Sequence, residues 1–179
     1  MSGPTSAHTE RVVSLPSAAA TAELGRQIGR AARGGDLVVL SGDLGAGKTT
    51  LTQGIGEGLG VRGPVTSPTF VIARLHPSIV GGPDLLHVDA YRLGGALELD
   101  DLDLDADLSA CVVVVEWGRG LVEQLSGDRL EVDLHRSDGE AADVLGDTGE
   151  VDEKRIAVLR GVGERWANDV SLVGTSSSR

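Results

Sequence analysis

Eight consecutive residues, Gly42, Asp43, Leu44, Gly45, Ala46, Gly47, Lys48 and Thr49, match the pattern GxxxxGK[ST] in full. Their types and order suit one task. Glycines let the main chain wrap around an oxyanion, while the loop N–H groups and the start of the next helix face its oxygens. Lys48 then reaches the terminal phosphates and the Thr49 hydroxyl ligates magnesium. Thr50, in the same turn, completes the expected nucleotide contacts of the loop. The pattern carries weight only after a strand and before a helix, and both signals flank it. Leu37 to Ser41 is a continuous apolar run, and the stretch from Lys48 to Leu59 leads into Gly60.

A phosphate loop needs an acidic group to fix the metal or orient water. Glu116 closes the apolar run Val112 to Val115, and a carboxylate at the carboxyl end of a parallel strand faces the crevice into which the loop opens. A strand end is also where charges simply re-enter water. Trp117 either stacks on a base or a partner, or caps the core. Asp89 ends a second apolar run, where it either holds magnesium through water or positions an attacking water; a surface strand-end carboxylate is the plain alternative. His87, two residues earlier, reads as a core or edge histidine, since one His beside one Asp is a weak metal signal. Thr66, Ser67, Pro68 and Thr69 put three hydroxyls around a stiffening proline, where nucleotide-dependent enzymes place a segment ordered by the γ-phosphate. A simple turn is the competing reading.

These residues need a scaffold, and the pattern predicts a single α/β domain over residues 12–170. Ser17 is placed to cap a helix with Leu24, Ile28 and Ala31 or Ala32 on one face, ending at Gly34 and Gly35. Glycines at 54, 56 and 58 each weaken the second helix by up to ~1 kcal/mol, so tertiary packing must hold it. Strands are expected at Phe70 to Leu75, Leu85 to Asp89 and Val112 to Val115. Leu99, Leu102 and Ala106 suggest a short helix. Leu130, Val132 and Leu134 alternate with polar residues in a strand with one wet face, and Arg155 to Leu159 forms the last strand. Residues 1–11 and 171–179 are expected to be disordered, and the acidic stretch 136–152 to be a mobile loop.

Composition narrows the function. The net charge is −11 and the only lysines are Lys48 and Lys154, so non-specific binding to DNA or RNA is disfavoured and any contact with RNA must be local or made through a partner. One cysteine, Cys111, excludes a disulfide framework and reads as a small core residue in a reducing compartment. No apolar stretch approaches the ~20 residues of a membrane span, and the opening residues carry no hydrophobic signal region, so the expected location is the cytoplasm. Asn168 is the only asparagine, which rules out the NKxD pattern of guanine-reading GTPases and leaves ATP as the expected nucleotide. The aspartates from Asp100 to Asp107 lack the Gly and Glu of a calcium loop and fit a solvated helix face.

Taken together, GDLGAGKTT at 42–50, TSPTF at 66–70, HVDAYRL at 87–93 and VEW at 115–117 resemble the TsaE (YjeE) family. The likeness runs from about Leu15 to Leu134. It implies a P-loop ATPase with a mainly parallel central sheet flanked by antiparallel strands and helices. Thr49 and Glu116 would hold magnesium, Asp89 would be required for hydrolysis, 66–69 would act as a switch, and Trp117 would lie near the nucleotide. Adenine-side contacts would fall at Leu15 to Ala18, Ala18 included, and on a late strand near Asp152 to Lys154. The resemblance further implies slow hydrolysis alone, partners TsaB and TsaD, and a part in making threonylcarbamoyladenosine in tRNA, which the acidic chain would meet only through the complex. Gly118 stands where the family commonly has proline, which predicts a looser turn, and the long acidic stretch puts the late adenine contact in question. Two other functions fit a phosphate loop. A small-molecule kinase would need an acceptor site, for which Arg74, Arg92 and Arg119 are available, and an interaction module would use ATP only to order the 66–70 segment.

Overall fold

The apolar runs that are buried on both faces form the centre of the sheet. The computed structural model describes residues 8–68, 72–91, 109–137 and 154–173. In chain order the elements are β1 (His8–Leu15), α1 (Ala18–Ala31), β2 (Leu37–Gly42), α2 (Lys48–Leu59), β3 (Ala73–His76), β4 (Asp84–Asp89), β5 (Cys111–Glu116), β6 (Arg129–Arg136), β7 (Arg155–Val162) and α3 (Gly163–Asp169). They build one seven-stranded sheet of order β1-β7-β6-β2-β5-β4-β3. Strands β6, β2, β5 and β4 are mutually parallel, while β1 and β7 on one side and β3 on the other add antiparallel pairings. Continuous apolar sequence marks β2 and β5, whose residues from Leu37 to Leu40 and from Val112 to Val115 are all buried.

Helices α1, α2 and α3 cover one face. Leu24, Ile28, Leu51 and Ile55 pack there with Val38, Leu40, Val112, Val114 and the fully buried Trp166 of α3. Leu37, Val39, Leu86, Val88, Val113, Val115 and Val122 form a second cluster. The seam between α1 and α2 explains how a glycine-rich helix survives. A Cβ on Gly25 would lie 2.3 Å from Leu51 O, and one on Gly54 would lie 2.2 Å from Ala22 O, so the two helices touch main chain to main chain. Packing thus offsets the poor helix propensity of α2, as the sequence requires. The expected wet face of β6 is also present: Leu130, Val132 and Leu134 are buried, while Arg129 and Glu131 join Arg160 and Glu10 in a row of ion pairs on the other side.

Several boundaries differ from the pattern. Residues 8–11, expected to be disordered, form the first half of β1, because β1 runs antiparallel along the whole of β7. The polar residues 8–11 give no apolar signal for this, since the pairing supplies the stability. At the other end a 3-10 turn continues through Leu172, and Val173 is 1% exposed, so the expected tail begins too early. Residues 163–169, for which no element is expected, form α3 around Trp166. The strand expected from Phe70 begins only at Ala73, after Ile72 adopts the left-handed φ of 64° that breaks an extended chain. Helix α1 ends at Ala31 and stops short of Gly34. The expected helix around Leu99 to Ala106 lies outside the described residues, as does most of the acidic stretch, although Ser137 N–H still bonds to Lys154 O at 3.0 Å.

Candidate functional site

The parallel strands bring their carboxyl ends to one edge, and the residues singled out by type gather there. Gly42 ends β2 with φ 141°, and a Cβ on it would lie 2.5 Å from Leu134 O, so only glycine fits. The loop then turns through Asp43, Leu44, Gly45 and Ala46 to Gly47, which caps α2 at φ 103°. The two helix starts contrast. Ser17 Oγ accepts the Ala20 N–H of α1 at 3.1 Å, whereas α2 has no side-chain cap and no acidic residue in its first turn. The leading N–H groups of α2, from Lys48, Thr49 and Thr50, are therefore left to an outside acceptor, as an anion site requires. The first turn of α1, which begins at Ala18, lies against the loop: a Cβ on Gly47 would be 3.5 Å from Thr21 Cγ2.

Lys48 is only 6% exposed. Its Nζ donates to the carbonyl oxygens of Gly42 at 2.6 Å and Asp43 at 2.9 Å, and sits 4.1 Å from the centre of the Trp117 ring. Burial lowers the pKa of the ammonium group, against the opposing pull of the Glu116, Asp43 and Asp89 carboxylates.

Glu116 is the last residue of β5, 4% exposed, and pairs in register with Leu40 of β2 and Asp89 of β4. Its Oε1 lies 2.8 Å from His87 Nε2. The His87 read from sequence as a core or edge histidine is thus buried, but in contact with the candidate metal ligand. Asp89 is half-buried and accepts the Tyr91 N–H at 3.0 Å. Trp117, at a left-handed φ of 62°, is anchored by its N–H to Leu40 O at 3.0 Å, and its ring stands 5.0 Å from that of Tyr91. The turn beyond is not loose. Gly118 O accepts the N–H groups of Leu121 and Val122, and a Cβ at 118 would lie 2.7 Å from Val115 Cγ1.

Among the other expected residues, Thr66 contacts the Arg74 guanidinium, and Pro68 is buried with its carbonyl bonded to Ile72 N–H at 2.9 Å. Gln53 of α2 holds the neighbouring Val65 O at 3.2 Å. Ser67 is half-buried, and Thr69 lies outside the described residues. Two arginines were not foreseen. Arg136 and Arg155 face each other across β6 and β7, and Arg155 donates to Gly45 O at 3.2 Å, while a Cβ on Gly45 would meet the Arg136 guanidinium at 2.7 Å. Their sequence signal is position alone, one at each side of the acidic stretch. A cleft of about 310 Å³ opens beside the loop, lined by Ser41, Gly42, Asp43, Trp117, Arg119, Asp133 and His135. Among the described residues no cluster of three or more His, Cys, Asp or Glu could hold a metal. Thr49 and Glu116 offer one hydroxyl and one carboxylate, a set that suits a hard cation completing its shell with phosphate oxygens and water.

Fold and site define an α/β protein in which a glycine-rich loop joins a central parallel strand to an uncapped helix, with a buried lysine and a buried glutamate at its mouth. A family model described as "Threonylcarbamoyl adenosine biosynthesis protein TsaE" matches residues 15–144, and the chain belongs to that family. It is 60% identical over 153 residues to the tRNA threonylcarbamoyladenosine biosynthesis protein TsaE of Streptomyces coelicolor, a match covering 84% of this chain and 97% of the relative. The TsaE of Bacillus subtilis is 43% identical over 107 residues, covering 59% of this chain and 65% of that protein. The crystal structure of Bacillus subtilis YdiB superposes with a TM-score of 0.69 at 28% identity, over 93% of this chain and 95% of that one. The fold is therefore the expected one, and the family is that of threonylcarbamoyladenosine biosynthesis. Among the described residues no helix is long and apolar enough to cross a membrane.

Proposed function

We propose that this chain binds ATP with magnesium and hydrolyses it slowly, as the cytoplasmic ATPase subunit that supports repeated turnover of a TsaB–TsaD partner in making threonylcarbamoyladenosine in tRNA. The observation that carries this reading is the uncapped start of α2 beside a buried Lys48 and a buried Glu116. The loop amides and Lys48 bind the phosphates, with Lys48 leaving the carbonyls of Gly42 and Asp43 for phosphate oxygens. Thr49 and Glu116 hold the magnesium ion, which when bound neutralises charge developing on the phosphates. Asp89, on the strand next to Glu116, orients the attacking water. Trp117 and Tyr91 wall the site, and 66–69 responds to the terminal phosphate. The net charge of −11 leaves contact with tRNA to the partners.

Calorimetry with ATP, together with phosphate release and multiple-round tRNA modification in the presence of the partners, tests the reading. Asp89→Ala is expected to bind ATP as the natural chain does while releasing no phosphate, and modification should stop after the first round. Normal phosphate release by Asp89→Ala removes Asp89 from its role. Modification that continues over many rounds without hydrolysis favours an ATP-dependent interaction module instead.

A further inference from the structure

We propose that His87 is a positioning residue for Glu116, holding one carboxylate oxygen so that the other is presented to the divalent ion. The inference rests on the magnesium reading above. In the sheet register His87 stands opposite Val114 and Asp89 opposite Glu116, so the imidazole reaches diagonally to the end of the neighbouring strand. The 2.8 Å contact between Nε2 and Oε1 is buried, with the His87 side chain 0% and the Glu116 side chain 5% exposed. An ionised carboxylate can only accept, so toward Glu116 in that form Nε2 carries the hydrogen and donates, as the Nε2–H tautomer or as the imidazolium.

Core packing does not account for this histidine. Its Nδ1 is buried without a hydrogen-bond partner among the described residues, an arrangement that costs stability. Leu85, two residues earlier on the same strand face, is equally buried and shows what plain packing uses there. What an imidazole adds over a leucine at 87 is the donor to Glu116. A buried carboxylate that must keep a fixed direction for a cation needs such a partner, because a free carboxylate rotates and a buried one without donors is unstable.

The test measures ATP affinity of the full chain by calorimetry, in EDTA and across a magnesium titration, after circular dichroism has established folding. In EDTA the natural chain, His87→Leu and His87→Gln should bind ATP alike. With magnesium the natural chain gains affinity. His87→Leu should need about 10-fold to 100-fold more magnesium for the same gain, the range seen when a group supporting a metal ligand is removed. His87→Gln, whose amide N–H reaches toward Glu116, should recover most of it. In a Glu116→Gln background His87→Leu should add no further loss. Unaltered magnesium dependence in His87→Leu, equal losses with leucine and glutamine, or additive losses in the double variant each overturn the role. If the leucine variant does not fold, His87→Asn, too short to reach Oε1, replaces it with the same expectation. A natural chain that binds ATP with no magnesium-linked gain overturns the magnesium reading and this inference together, whereas a retained gain in the variants overturns this inference alone.

Discussion

Two buried charge clusters stand at opposite ends of β2, and they are wired differently. At the amino end Asp36 is closed in: Arg165 Nη2 lies 3.0 Å from its carboxylate, the Arg33 N–H donates at 2.8 Å, and Arg165 also bonds to Ala31 O and Asp169 while lying over the Trp166 ring. At the carboxyl end Lys48 donates to main-chain carbonyls and Glu116 is held by His87, so the two opposite charges are satisfied by groups other than each other. Burial pushes the Asp36 carboxyl up and the Lys48 ammonium down, for the same physical reason, with nearby opposite charges working against both. The first cluster is a staple that ties α3 to the start of the central strand. The second keeps its lysine on bonds that a phosphate could replace. A buried carboxylate closed on a guanidinium and a main-chain N–H of its own protein marks architecture; buried charges on exchangeable partners mark a site.

The difference can be broken from either end. The largest effect is expected at the staple. Arg165→Ala leaves the Asp36 carboxylate buried without its guanidinium and should cost about 3–5 kcal/mol of stability, read as a lower denaturant midpoint, while ATP affinity of the folded protein is unchanged. Lys48→Ala should do the reverse. Losing a charged hydrogen-bond donor to phosphate, about 3 kcal/mol, lowers ATP affinity about 100-fold by calorimetry with little change in thermal midpoint. A Lys48→Ala variant that binds ATP normally would make the second cluster another staple.

The smallest effect is a pH dependence at the flank of the site. His76 is buried, and burial first, then the neighbouring His87 and Arg74, holds its pKa below the ordinary 6.5. Between its folded value and 6.5 the unfolded chain binds more protons, so stability rises with pH across that window and falls on acidification. His76→Gln should flatten this slope in thermal midpoints taken on both sides of the window.

The parallel centre was legible because its residues obey one rule throughout: runs such as Leu37–Leu40 and Val112–Val115 are apolar without interruption and lie buried on both faces. That the candidate residues would gather at one edge of the sheet was legible for a related reason, since the loop glycines, Lys48, Thr49 and Glu116 sit at fixed offsets from those runs. What escaped was decided by pairing across long chain separations. Strand β1 at residues 8–11 is held by β7, more than a hundred residues away, and its local sequence says nothing of it. His87 donates to a residue 29 positions distant, and Arg155 to a carbonyl 110 positions distant, so neither role has a local signature. Ile72 shows the converse: a β-branched residue that sequence places inside a strand takes a left-handed turn instead.

Glycine is used in the neighbourhood of the site for two opposed mechanical ends. Between Gly42 and Gly47 it supplies a sharp bend, taking the chain through positive φ values that side chains disfavour. Along the seam of α1 and α2 it supplies stiffness, because with side chains removed the two rods meet at a spacing that any added atom would force apart. Bend and seam are built from the same omission, and Lys48 and Thr49, where the two meet, keep their height above the sheet by virtue of atoms that are not there.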